Sequence, residues 1–229
     1  MRSPKAPPGD DHQQWASRGA LKLLAGLKTF RLMGRVRGAR AIDIGASTGG
    51  FTDVLLYYGA RHVTCVEVGY DQMVERLRND ARVLLLERIN FKTVSLQVAP
   101  GPFEFFVADV SFMAARTLLK PLRHRVPVGT EGIVLVKPQF ELPDALIPKG
   151  GVIASKNLRK LAFNRFKRKA VQLGFEIVQR MDCPIAGGDG NVEYLVHLRY
   201  TGVVPSAVDE GDDDMDVANL ADGESGTDE

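Results

Sequence analysis

Ala41-Ile42-Asp43-Ile44-Gly45-Ala46-Ser47-Thr48-Gly49-Gly50-Phe51-Thr52-Asp53 begins as an apolar run, turns through small residues and resumes as a helix start. Between Gly45 and Gly50 few side chains keep the backbone from a ligand. Free N–H groups at the helix start offer donors to that ligand's oxygens. The spacing is Gly-x-x-x-Gly-Gly, neither the Gly-x-Gly-x-x-Gly of dinucleotide binders nor a phosphate loop ending in Gly-Lys-Ser/Thr. About twenty residues on, Glu67 closes the next apolar run, where an acid can accept both hydroxyls of a ribose. Glycine loop and acid together predict a nucleoside-containing cofactor.

Outward from this stretch, strand and helix patterns alternate. Strands are expected at 40–45, 62–68, 82–87, 104–109, 132–137, 175–181 and 192–199, and helices at 49–58, 70–77, 114–119 and 155–173. An earlier helix over 17–33, with Ser17 as its N-cap, gathers Leu23, Leu24, Leu27 and Phe30 on one side and projects Lys22 on the other. Short apolar strands alternating with amphipathic helices predict an α/β fold with a mostly parallel seven-stranded sheet covered on both faces. Only a turn region, 183–190, separates the last two strands, so they should close the sheet as an antiparallel hairpin.

The totals exclude several classes. A chain of 229 residues with 45% hydrophobic and 25% charged residues has the makings of a folded globular core. Cys65 and Cys183 stand far apart, which argues against a disulfide scaffold and for a reducing compartment, cytoplasmic or else organellar. None of His12, His62, His124 and His197 has metal-ligand spacing, so no metal is expected. No apolar run reaches the ~20 residues needed to cross a bilayer, so no membrane is expected.

Charge is distributed unevenly. Residues 201–229 hold ten acids and no Lys or Arg, so positions 1–200 carry 30 basic against 18 acidic residues, a formal +12. A core that basic favours a polyanionic partner, nucleic acid first, over a basic protein of no special partner. The leader 1–16, apart from Trp15, and the acidic tail 201–229 are expected to be disordered around a single domain, 17–200.

Four further residues carry chemistry. Asp109 ends the fourth strand and Lys137 the fifth, and ligands of open α/β sheets sit beyond such carboxyl ends. Glu193 opens the last strand and Lys22 lies on the first helix. Two lysines and two carboxylates above one sheet edge suit methyl transfer to a hydroxyl, a weak acid that needs a base or close positioning.

The series Ser17-Arg18-Gly19-Ala20-Leu21-Lys22, Asp43 to Thr52, Asp109-Val110-Ser111-Phe112, Lys137-Pro138-Gln139-Phe140-Glu141, Lys149-Gly150-Gly151-Val152 and Gly190-Asn191-Val192-Glu193 closely resembles the TlyA (haemolysin A) family of FtsJ-like ribose 2′-O-methyltransferases. The resemblance implies a Rossmann-like class I methyltransferase fold, S-adenosyl-L-methionine as cofactor and ribosomal RNA as substrate. It also implies a catalytic tetrad of Lys22, Asp109, Lys137 and Glu193. Asp43, Gly45, Ala46, Ser47, Thr48, Gly49, Gly50, Phe51, Glu67 and Asp109 would hold the cofactor, with Asn90 beside the adenine.

Members of that family usually carry an N-terminal S4-type RNA-binding domain, and only about sixteen residues precede the first motif here. RNA capture is then expected to rest on the basic surface, including the 155–173 helix with its seven Lys and Arg residues, or on an accessory RNA-binding protein. The alternative function is a ribosome-assembly factor that binds RNA with this fold and does not depend on catalysis.

Overall fold

The structure, a computed structural model, describes residues 15–188 and 190–204. The leader as far as residue 14 and the acidic tail from residue 205, both expected to be disordered, lie outside the described residues.

The chain opens with α1 (Gly19–Thr29) and α2 (Met33–Val36), then runs into β1 (Arg40–Ile44), α3 (Gly50–Tyr57), β2 (His62–Val66), α4 (Glu75–Arg78) and β3 (Val83–Leu86). After a long connection come β4 (Phe105–Ala108), a 3₁₀ turn at Ala115–Leu118, α5 (Leu119–Leu122), β5 (Glu131–Val136) and α6 (Pro138–Glu141). The last elements are α7 (Lys156–Gln172), β6 (Phe175–Asp182) and β7 (Tyr194–Tyr200).

All seven expected strands form, in the order β3-β2-β1-β4-β5-β7-β6. The first five are parallel, and β7 is antiparallel to both β5 and β6. The hairpin thus folds back so that its second strand, rather than its first, joins the parallel sheet. Burial explains the choice: β7 is buried from Tyr194 to Leu198 and apolar there except for His197, whereas β6 carries exposed Glu176, Gln179 and Arg180 and suits an edge.

The five inner strands β2, β1, β4, β5 and β7 are buried on both faces, as a covered sheet requires, while the edge strands β3 and β6 are partly exposed. Ala41, Cys65, Val107, Ile133 and Leu195 pack under α1 and α3, while Ile42, Val66, Phe106, Val134 and Val196 pack under α5 and α7. Fully buried Phe103, Phe105, Phe106, Phe166 and Phe175 each contribute roughly 2–3 kcal/mol of apolar burial.

Three helices differ from expectation. The 17–33 helix is interrupted after Thr29, where Arg31 takes a left-handed φ of 59°, and its N-cap is Arg18 without a side-chain cap rather than Ser17. The 70–77 helix shrinks to the four residues of α4, because Asp71 is also left-handed (φ 57°) and the chain bends through 68–73 first. The 114–119 helix is a 3₁₀ turn running into α5. By contrast α7 starts as its sequence demands, the Ser155 hydroxyl accepting from Leu158 N–H at 3.3 Å.

Candidate active site

Strand order reverses between β1 and β4: the chain leaves β1 toward β2 on one side, while β4 and β5 lie on the other. Crevices at such switch points bind ligands in doubly wound sheets. Two cavities occupy this one, of about 300 and 310 Å³, and they adjoin at Gly45, Ser47, Asp109 and Ser111.

The glycine loop builds the partition. Gly45 has φ +83°, and a Cβ there would overlap the carbonyl oxygen of Asp109, so the two strand ends approach as only glycine permits. A Cβ on Gly50 would overlap the Ser17 hydroxyl, which seats the start of α1 on the loop. Gly49 (φ +97°) makes room for Leu77 of α4 and lines neither cavity, so its part is packing.

The larger cavity is a slot with apolar walls, including Ile44, Val66, Ile89, Phe91 and Leu118, and one buried acid, Glu67. Glu67 Oε2 accepts from Ser47 N–H at 2.8 Å, and its Oε1 from Gly69 N–H at 2.7 Å. Each oxygen retains a lone pair for a diol. An apolar slot beside a pre-oriented carboxylate fits the adenosine of S-adenosylmethionine, and the glycine loop fits its amino-acid end.

In the smaller cavity the four tetrad residues come together. Lys22 Nζ donates to Glu193 Oε2 at 2.6 Å, joining residues 171 positions apart. Lys137 Nζ lies 2.8 Å from Asp109 Oδ1 as an ion pair and donates to the Ser111 hydroxyl at 2.9 Å. Lys22, Asp109 and Lys137 line the cavity, while Glu193, 2% exposed, lies behind Lys22. Ion pairs this buried recover their desolvation cost poorly, so neither adds much to stability.

Ala46, Ser47, Thr48, Gly50 and Phe51 line this cavity, but besides Gly49 two further cofactor candidates, Asp43 and Asn90, reach neither one. Asp43 is wholly buried beneath the loop; its Oδ2 accepts from the Thr52 hydroxyl at 2.6 Å, and its Oδ1 has no partner among the described residues. Burial pushes its pKa up to about 7, the Thr52 hydroxyl opposes this, and the charges of Asp109 and Glu67 add to it. Asn90 is exposed and caps its own turn, accepting from Lys92 N–H at 3.0 Å, so its neighbours Ile89 and Phe91 form the slot wall instead.

Sequence reading passed over Ser111, the Ile185–Gly188 part of the 183–190 turn, and Phe112. Ser111 follows Asp109 by two residues, a spacing with no signature of its own. Ile185, Ala186 and Gly188 roof the tetrad cavity. Phe112 is 94% exposed with φ +62°, an unfavourable backbone for an aromatic residue, and its ring lies 5.7 Å from that of Phe140.

A brace holds Asp109 and Lys137 in register. Glu141 of α6, fully buried, accepts from Arg116 Nη1 at 2.7 Å and from Arg116 N–H at 3.2 Å, tying the chain after β4 to the chain after β5. Arg165 of α7 donates to the Glu141 carbonyl at 3.0 Å, and Arg159 to the carbonyls of Ile153 and Ala154. These two arginines therefore stitch the fold, while Lys156, Lys160, Lys167 and Lys169 stay exposed on α7.

Among the described residues no cluster of His, Cys, Asp and Glu is arranged to hold a metal, and no helix is long and apolar enough to cross a membrane.

The family model for FtsJ-like methyltransferases matches residues 15–200. The chain is 41% identical over 190 residues to the 16S/23S rRNA (cytidine-2′-O)-methyltransferase TlyA of Mycobacterium tuberculosis, covering 83% of this chain and 70% of that protein. It is 31% identical over 184 residues to the 23S rRNA (cytidine-2′-O)-methyltransferase TlyA of Campylobacter jejuni, covering 80% and 70%. A solved structure described as a hemolysin of Streptococcus thermophilus superposes with a TM-score of 0.79 at 36% identity, covering 91% of this chain and 75% of that one.

Proposed function

The chain belongs to the FtsJ-like methyltransferase family, and from that membership we propose that it methylates a ribose 2′-hydroxyl of ribosomal RNA, using S-adenosylmethionine. The observation that carries this reading is the joining of two cavities at Gly45, Ser47, Asp109 and Ser111: a nucleoside slot on one side, two lysine–carboxylate pairs on the other. The relatives' names make a cytidine the acceptor to test first.

When bound, S-adenosylmethionine supplies a methyl group activated by its sulfonium. The chain's own task is alignment, since an in-line displacement needs the acceptor oxygen held close to and opposite the leaving atom. The Lys137 ammonium has three N–H bonds, of which one goes to Ser111 and one faces Asp109. The third is free to meet the 2′-oxygen and to stabilise the charge that develops there. Asp109 fixes Lys137 and stands ready for the hydroxyl proton. Glu193 holds Lys22, which places the neighbouring phosphate. Phe112, projecting from the rim of the nucleoside slot, offers an exposed flat face to an RNA base. Two free cysteines, Cys65 and Cys183, suit a reducing compartment, the cytoplasm in this reading.

Lys137→Ala tests the mechanism: transfer to RNA should fall by at least about a hundredfold, while S-adenosylmethionine binds as before. Full activity of that variant on the true RNA overturns the role. Mapping ribose methylation across total RNA, with and without the protein, identifies the acceptor. Restoration of ribosome assembly by the tetrad variant would favour the RNA-binding factor instead.

A further inference from the structure

A second cavity system, on the flank of the sheet, carries positive charge without its counterpart. It is a groove of about 580 Å³ between the segment after β3 and α5, lined by Lys92, Ser95, Thr117, Lys120, His124 and Arg125 among others, and no Asp or Glu lines it. Lys92, Lys120 and His124 are exposed on its rim, and neither lysine is ion-paired within the described residues.

At the floor sits Arg125, 4% exposed. Its Nε donates to the Ala99 carbonyl at 3.0 Å, Nη1 to Pro121 at 2.7 Å and Nη2 to Val94 at 2.6 Å, and the guanidinium lies 5.2 Å from the centre of the Phe91 ring. A full charge is thus held by neutral carbonyls and a ring face, with no carboxylate. Burial accordingly pushes its pKa down, with no anion opposing. Three of the five guanidinium N–H bonds are used, leaving one each on Nη1 and Nη2. Stapling the 94–99 loop accounts for Arg125 itself, but not for an acid-free groove with two unpaired lysines above it.

We propose that this groove is a phosphate-binding site for the RNA backbone, a second contact that holds the substrate while its target ribose enters the tetrad cavity. The charge pattern fits a polymer: Lys92 and Lys120 are exposed on an open groove, whereas a single small anion would need one enclosed, convergent pocket. The location fits as well. Phe91, beneath Arg125, also walls the nucleoside slot, and Thr117 of the groove adjoins Leu118 of the slot. On α7, Arg159 and Arg165 are engaged with carbonyls, and the groove adds Lys92 and Lys120 to the exposed lysines of that helix. The assignment rests on the RNA reading above.

The test is filter binding of in vitro transcribed 23S rRNA from 50 to 200 mM KCl, comparing the wild type with Lys92→Gln/Lys120→Gln, which leaves Arg125 in place. Loss of two phosphate contacts should weaken binding and make the log affinity against log salt plot shallower by about 1.5 to 2. S-adenosylmethionine affinity and thermal midpoint should be unchanged. An unaltered slope and affinity overturn the groove while leaving the methyltransferase reading intact. If the substitutions abolish binding of inorganic phosphate but spare RNA binding, the groove is a small-anion site and the RNA assignment fails. A wild type that binds no RNA at any salt overturns both readings.

Discussion

Replacing Asp43 with Asn removes a buried ionisable group and keeps an oxygen for the Thr52 hydroxyl. In the folded protein Asp43 is wholly buried, Oδ1 lacks a partner among the described residues, and burial raises the pKa from 3.8 to about 7. Between those values the native chain keeps a proton that the unfolded chain has released. Stability from this group is therefore complete below about pH 4, declines as pH rises to about 7, and is level above it. A gap of about three pH units, at ~1.4 kcal/mol each, corresponds to a loss of about 4 kcal/mol, an upper bound once the interior relaxes. Asn does not titrate, so Asp43→Asn should gain on the wild type by up to that amount between pH 4.5 and 7. Urea unfolding of both proteins at pH 4.5, 6, 7 and 8 measures the difference. Two stability curves that run parallel across this range would refute a buried, proton-holding Asp43.

Gly45→Ala places a Cβ against the Asp109 carbonyl at a left-handed φ and should cost roughly 1–3 kcal/mol or more, with cofactor affinity falling in calorimetric titration. Wild-type affinity would show that the two strand ends are free to separate. Phe112→Ala removes an exposed ring that supports nothing in the core, so the thermal midpoint should hold while KM for RNA rises by about tenfold, equivalent to ~1.4 kcal/mol and within the range of one base–aromatic stack. An unchanged KM would remove Phe112 from the acceptor site. Glu141→Ala strands the partly buried Arg116 and should destabilise the fold by about 3–5 kcal/mol in chemical denaturation. A loss under 1 kcal/mol would mean that the brace between the Asp109 and Lys137 segments contributes little.

Much of the architecture was legible because local patterns encode it. Apolar runs closed by Asp109 and Lys137 could only be buried strands, and the Gly45–Gly50 spacing with Glu67 after it pointed to a nucleoside before any contact was known. Helices that pack weakly were misread: the 70–77 pattern yields four helical residues because the chain bends at Asp71, a left-handed position that no periodicity records. The sequence by itself determined which residues close strands and which chemistry stands ready there. Only the tertiary structure decided which strand of the hairpin joins the sheet, that Lys22 meets Glu193, that Ser111 serves Lys137, and that Asp43 lies beneath the cofactor loop rather than in its wall. These are consequences of burial and of pairing between residues distant along the chain, and no local spacing of side chains carries them.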